Sequence, residues 1–192
     1  MSSPDPSLFK ALLAQVGDDP SREGLAETPE RAARAWAEWT SGYGVDPASV
    51  LKAFVDGSED YDELVFQGGI PLWSLCEHHM APFFGVAHIG YIPKGRVVGL
   101  SKLARLVDVF ARRLQVQERM TVQIARALHN ALEPRAVGVV LQCRHSCMES
   151  RGIRRIGSIT MTSALLGQFR NEPEARAEFM AMVHAARQAT VL

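Results

Sequence analysis

Cysteine is scarce in this sequence, and long apolar runs are missing from it. Three cysteines stand among 192 residues, an odd number that makes a poor disulfide framework and points to a reducing compartment. No stretch approaches the roughly 20 apolar residues that a membrane helix needs. The opening residues, MSSPDPSLFK, lack the apolar centre of a secretory signal. The expectation is a soluble, cytoplasmic chain with no membrane role. Neither sign of charge is in excess, since 21 Lys and Arg balance 21 Asp and Glu. A balanced chain without a basic run offers no footprint for nucleic acid, although a few clustered cations suffice for one phosphate tail. The pattern G-x-x-x-x-G-K-[ST] is absent, so no P-loop holds a nucleotide here. There is no repeat and no low-complexity tract.

What the chain does have is enough apolar sequence for a core, 47% of its residues, in a length that fits one domain with a helical extension. Residues 7–16 and 28–40 read as helices. Thr28 is placed to cap the second and Pro29 to open it. Ser41 to Val50 is rich in Gly and Pro and reads as a hinge, which sets an expected N-terminal helical extension of residues 1–60 against a main domain of residues 61–192. From Leu64 the pattern turns to strands. Phe84 to Ile92 alternates, and Arg96 to Leu100 follows a Pro-Lys-Gly turn. Helices are expected from Ser101 to about Leu114, with Leu103, Leu106, Val107 and Phe110 on one face, and from Gln117 to Leu132. Glu133-Pro134 ends the second. Strands Val137–Cys147 and Ser158–Ala164 follow, and Pro173 opens a last helix. The expected class is α+β: strand-strand-helix-helix-strand-strand, an antiparallel sheet with two helices on one face.

Two segments carry metal chemistry. Cys76-Glu77-His78-His79 puts Cys76 and His79 in a C-x-x-H spacing, so one tight turn aims a thiolate and an imidazole at one point. Cys143-Arg144-His145-Ser146-Cys147, read as a strand, puts Cys143, His145 and Cys147 on one face. A Cys/His/Cys set suits zinc, and three protein ligands leave a fourth position for water. Buried cysteines without a role are common, and a four-ligand structural site that includes Cys143 stays open on spacing alone. Ser101, Lys102 and Arg105 start a helix, where free N–H groups favour phosphate oxygens, and Arg151 follows the second cysteine segment. By themselves such cations are usually a solvated face. Gln117 and Glu118 open the next helix, where a carboxylate complements the dipole. A carboxylate also accepts two N–H bonds, the pattern that guanine presents.

Together these segments resemble the GTP cyclohydrolase I family. The resemblance rests on Glu27–Arg31 (ETPER), Ser41–Tyr43 (SGY), Cys76–His79 (CEHH) and Tyr91–Lys94 (YIPK). It continues through Gly99–Val107 (GLSKLARLV), Arg112–Arg119 (RRLQVQER), His145–Met148 (HSCM) and Arg151–Ile153 (RGI), in order and over nearly the whole chain. It implies the tunnelling fold, in which sheets from several subunits join into a barrel, and a toroidal homodecamer with sites between subunits. It implies Zn2+ on Cys76, His79 and Cys147, and proton transfer by His78 and His145. It places the triphosphate of GTP against Arg31, Ser101, Lys102, Arg105 and Arg151, some of them from a neighbour, and gives guanine to Gln117 and Glu118. The implied reaction opens the imidazole ring of GTP, releases formate and closes the rearranged ribose to 7,8-dihydroneopterin triphosphate. That product is a pterin precursor, and the ends that the resemblance implies for it are folate, a pterin cofactor and a modified base.

Three residues depart from the pattern of that family. Gln142 stands where it usually has an acidic residue, Cys143 where it has a small one, and Glu149 where an apolar or basic residue is commoner. Gln142 has the wrong strand parity to touch the site. Cys143 is expected as a buried bystander, and Glu149 sets a negative charge close to Arg151. A zinc nucleobase deaminase is disfavoured, because H-x-E and P-C-x-x-C are both missing. Related tunnelling-fold enzymes acting on a pterin or deazapurine are not expected to combine CEHH with HSC. A catalytically inactive homologue that binds a purine nucleotide or a protein partner is the alternative, and none of the proposed ligands or histidines is lost.

Overall fold

The protein is described from a computed structural model, which covers residues 3–55 and 60–189. Helices α1 (Pro6–Gln15), α2 (Thr28–Trp39) and α3 (Pro47–Val50) lead to strands β1 (Ala53–Phe54), β2 (Val65–Cys76), β3 (Pro82–Ile92) and β4 (Val97–Val98). Helix α4 (Leu100–Ala111), strand β5 (Leu114–Gln115) and helix α5 (Gln117–Leu132) come next. Strand β6 (Ala136–His145), helix α6 (Ser146–Glu149), strand β7 (Ile159–Gly167) and helices α7 (Gln168–Asn171) and α8 (Pro173–Ala189) complete the order. The main sheet runs β5-β2-β3-β6-β7 and is antiparallel except for the short β2–β5 pair. The expected ββααββ order of the tunnelling fold is the order observed.

Sequence pattern explains the layers. On β3, Phe83, Ala87, Ile89 and Tyr91 point to one side and meet Leu103, Leu106, Val107, Met120, Ile124 and Leu128 from α4 and α5. Each apolar side chain of this size, taken fully from water, contributes about 1.5–3 kcal/mol. The opposite face is covered by α8. Gly90 and Gly138 leave a slot for the ring of Phe179, and a Cβ at either position would lie 2.8 or 2.7 Å from that ring. The two expected helices therefore share a face, and a third closes part of the other. Gly85 lets β3 and β6 approach, because a Cβ there would lie 1.9 Å from the carbonyl oxygen of Gln142.

Several boundaries differ from expectation, each for a local reason. Helix α2 starts at Thr28 itself, with Glu27 in the cap position and no side-chain cap bond. The expected strand at Arg96–Leu100 shrinks to two residues, because α4 already starts at Leu100. Glu133 ends α5 in a left-handed conformation, φ 48°, with Pro134 next. The expected strand 137–147 stops at His145, and Ser146–Glu149 form one helical turn. Cys147 thus leaves the strand's alternation. The boundary expected between residues 60 and 61 lies just after residues 56–59, which are outside the described residues.

Candidate metal centre and substrate cleft

Cys76 ends β2, and a tight turn returns the chain into β3. The Cys76 carbonyl accepts the N–H groups of His79 at 3.3 Å and Met80 at 2.7 Å, while the Cys76 N–H donates to Ala81 at 2.8 Å. Met80 takes a positive φ of 52° to close the turn. This one turn of helix-like bonding puts Cys76 and His79, three residues apart, on one side. Cys147 arrives from the other end of the chain. β6 lies beside β3 with His145 opposite Phe83, and α6 then carries Cys147 back over the end of the sheet.

The ligand atoms of Cys76, His79 and Cys147 all lie within 4.8 Å of one another. Cys76 Sγ is 3.8 Å from His79 Nδ1 and 3.9 Å from His78 Nδ1. A tetrahedral zinc ion, with bonds of about 2.3 Å to sulfur and 2.0–2.1 Å to nitrogen, sets such atoms roughly 3.5 Å apart. The trio therefore suits a metal ion. His78 approaches one sulfur but stands outside that trio, which leaves its ring for other work. Cys143 lies in the core, fully buried, with its thiol pushed up to about 12 by burial. It is no part of the cluster. Burial and the adjacent Cys76 also push the Cys147 thiol up. Two sulfurs together resist a shared negative charge, and a bound cation removes that resistance.

An open cleft of about 250 Å³ spans this centre and the start of α5, lined by Cys76, His78, His79, Gln117, Glu118, His145, Cys147 and Thr160 among others. A larger cleft of about 340 Å³ lies elsewhere, between Trp39, Trp73, Pro82 and the Glu38–Arg112 pair, and holds none of this chemistry. His145 is stacked on Phe83, centroids 4.7 Å apart and planes 10° apart. Its Nε2 is 2.8 Å from Gln117 Oε1. Gln117 offers its amide nitrogen to Leu141 O at 3.3 Å, Thr160 O at 3.1 Å and Thr162 Oγ1 at 3.1 Å. Two of those partners are carbonyls, which only accept, so the amide oxygen faces His145 and His145 Nε2 carries a proton. Burial lowers the His145 pKa, and the nearby Glu118 carboxylate opposes that effect.

The expected site residues divide into two groups. Cys76, His78, His79, Gln117, Glu118, His145 and Cys147 share one cleft. Arg151 is close enough to act electrostatically on Cys147. Ser101, Lys102 and Arg105 do not line that cleft; Arg105 lines another with Asp108 and Arg112. Arg31 of α2 is exposed and paired with Glu27, at the cap position of that helix. Gln117 is buried with its amide engaged inside the protein, whereas Glu118 is exposed in the cleft. Gln142 points away from the centre, as its parity requires.

Two pairs near the centre were not singled out from the sequence. Arg119 reaches Glu77, inside the CEHH turn, and also bonds Gln115 Oε1 at 3.2 Å and Leu114 O at 3.2 Å. That bond holds the Glu77 carboxyl below its usual range. Arg144 holds Glu149 through two bonds of 2.8 Å each. No spacing rule marks the Glu77–Arg119 pair, since 42 residues separate its members.

Comparison with known proteins identifies the family of the chain. The family profile described as GTP cyclohydrolase I matches residues 6–184. A protein named GTP cyclohydrolase 1 from Nitrosospira multiformis is 59% identical over 177 residues, covering 92% of this chain and 93% of its own. One of the same name from Corynebacterium glutamicum is 55% identical over 178 residues, covering 91% and 89%. Another, from Chlorobium phaeovibrioides, is 52% identical over 183 residues, covering 95% and 81%. Among solved structures, an archaeosine synthase of the QueF-like kind matches with a TM-score of 0.46 at 21% identity, over 54% of this chain and 93% of that one. The chain belongs to the GTP cyclohydrolase I family.

Proposed function

We propose that this protein opens the imidazole ring of GTP by hydrolysis, releases formate and forms 7,8-dihydroneopterin triphosphate. The observation that carries the reading is one cleft holding a Cys/His/Cys metal trio, two further histidines and an exposed carboxylate. Cys76, His79 and Cys147 would hold zinc, which when bound lowers the pKa of a water molecule towards roughly 7. Glu118 accepts the amino and ring N–H groups of guanine, with charge-assisted bonds of about 1.5–3 kcal/mol each. His145 has one ring nitrogen occupied by Gln117, so its other nitrogen is the one free to exchange a proton with the purine. His78, exposed beside the trio, is the second proton carrier. The triphosphate meets Arg151, with Arg31, Ser101, Lys102 and Arg105 in support.

The last four residues lie off the cleft of their own chain, and that arrangement supports sites shared between subunits of a ring-shaped homodecamer. Residues 1–60 then form the helical extension and residues 61–192 the catalytic domain. The three free cysteines suit a cytoplasmic enzyme. The test is incubation of purified protein with GTP, with and without a zinc chelator, following formate and the fluorescence of oxidised pterin. Both products should appear, and only without chelator. Zinc-loaded protein that binds GTP yet frees no formate would turn the reading to an inactive homologue.

A further inference from the structure

The loop that follows Cys147 is held shut by a pair of side chains outside the chemistry described so far. Arg144, next to last on β6, presents Nε and Nη2 to the two carboxylate oxygens of Glu149, each at 2.8 Å. This is the two-bond fork geometry in which arginine binds carboxylate best. The pair is well shielded, with side chains 27% and 13% exposed, so solvent screens it less than an ordinary surface pair. Glu149 Oε1 also accepts the N–H of Gly157 at 3.2 Å, and the N–H of Arg155 reaches Met148 O at 3.0 Å. The loop between Glu149 and Gly157 is therefore closed twice at its neck. Within it Gly152, Arg154 and Gly157 all take positive φ, between 51° and 78°. On the other side, the Arg144 guanidinium lies over the ring of Phe84 at 5.6 Å, and Phe84 stacks on Trp73 at 4.6 Å. The fork is thus anchored on the sheet rather than floating with the loop.

Arg151 stands two residues beyond Glu149 in this loop. A carboxylate at 149 released from Arg144 would have an exposed guanidinium two residues away as an alternative partner. We propose that Arg144 and Glu149 are a positioning pair for the phosphate-binding loop. Arg144 keeps Glu149 off Arg151 and fixes the loop so that Arg151 faces the anionic tail of the substrate. The inference rests on the reading that Arg151 meets the triphosphate of GTP. It also accounts for how an acidic residue is tolerated at 149: its charge is matched locally, on the side away from the substrate.

The test is steady-state kinetics with GTP on zinc-loaded protein, comparing wild type with Arg151→Ala, Arg144→Ala, Glu149→Gln and the double variant Arg144→Ala/Glu149→Gln. Arg151→Ala should raise KM, which checks the underlying reading on its own. Arg144→Ala should raise KM about tenfold, the size expected for loss of a charge-assisted contact, with kcat and zinc content within about twofold of wild type. The double variant should recover most of the lost affinity, because no free carboxylate remains to capture Arg151. A purely structural role predicts the opposite order, with the double variant no better than the single one and with kcat and zinc falling alongside. Should Arg144→Ala fail to fold, Arg144→Lys keeps the charge without the fork, and a KM rise relieved by Glu149→Gln carries the same meaning. If Arg151→Ala raises KM while Arg144→Ala and Arg144→Lys leave it unchanged, the positioning role is overturned and the reading of Arg151 stands. If Arg151→Ala leaves KM unchanged, the reading itself fails, and the positioning role goes with it.

Discussion

Gln117 shows how a single side chain can be assigned by counting its hydrogen bonds. Resemblance gives it, with Glu118, to the guanine ring. Its amide nitrogen is engaged by two backbone carbonyls and a threonine hydroxyl, and its oxygen meets His145. Little of that side chain remains for a ligand. Glu118, next in sequence, points into the cleft with no such commitments. The two neighbours are therefore expected to fail differently when changed. Gln117→Ala leaves the His145 ring without the partner that sets its protonated nitrogen. We expect kcat to drop by roughly tenfold to a hundredfold, part of the 10²–10⁴ that a positioned proton carrier supplies, while KM for GTP changes little. Glu118→Gln should mainly weaken the preference for guanine over adenine nucleotides. Kinetics of both variants with GTP, and nucleotide competition for the second, separate these outcomes. A Gln117→Ala enzyme that loses guanine selectivity at unchanged kcat would return Gln117 to base recognition.

At the scale of elements, the contact between α8 and the sheet has a built-in acid sensitivity. His88 is fully buried on β3. Its Nδ1 accepts the N–H of Gly69, from the bulge in β2, at 3.3 Å. Its ring stacks near Phe66, with centroids 6.4 Å apart, and its Nε2 has no partner among the described residues. Burial lowers its pKa, and the positive charge of Arg187 on α8 adds to that. The unfolded chain then takes up a proton near the ordinary value of about 6.5, while the folded chain resists until a lower pH. Stability is full above about 6.5 and declines as pH falls from there towards the lowered folded value. His88→Gln keeps an acceptor for Gly69 and removes the titration. The fall in melting temperature between pH 7 and pH 5 should be smaller in that variant, by about 2–4 °C for each kcal/mol of linkage removed. An equal fall in both proteins would show that other groups cause the acid response. This contact was hard to foresee, because the alternation of β3 places His88 on the face opposite Ala87 and Ile89 but cannot say what covers that face. The same limit explains Cys147. Alternation holds through His145, yet Ser146–Glu149 turn helical, so the sulfur reaches the trio by a turn rather than along a strand. Local patterns such as C-x-x-H, the apolar stripe of α5 and the Glu133-Pro134 stop were legible. Pairings across the fold, Arg119 with Glu77 or Gln117 with Thr160, leave no mark in spacing.

For the whole molecule, the distribution of positive charge is the decisive feature. The cleft around the metal trio is lined by no lysine or arginine among the described residues, and Arg151 acts on Cys147 from its loop. A triphosphate needs more countercharge than one guanidinium provides. Lys102 and Ser101 belong to the first turn of α4, and the far end of that 12-residue helix leads into β5 beside Cys76. A helix of that length spans about 18 Å, which sets its first turn well apart from the cleft at its other end. Strand β7 is one edge of the sheet, the kind of edge along which another copy can pair, whereas at the other edge Leu114 of β5 is already bonded to Tyr43 and Arg119. The proposed ring, in which the α4 cations of one subunit serve the cleft of the next, can be tested without solving the assembly. His145→Ala removes the proposed proton carrier and Lys102→Ala a proposed phosphate partner, so each variant alone should turn over little GTP at low concentration. Co-expressed with different tags and isolated as mixed oligomers, the two should regain activity, with about a quarter of the sites intact under random assembly of equal amounts. If each site were built from a single chain, every site in the mixture would carry one defect or the other. Mixed oligomers as inactive as their parents would therefore refute the shared site, whatever the size of the ring.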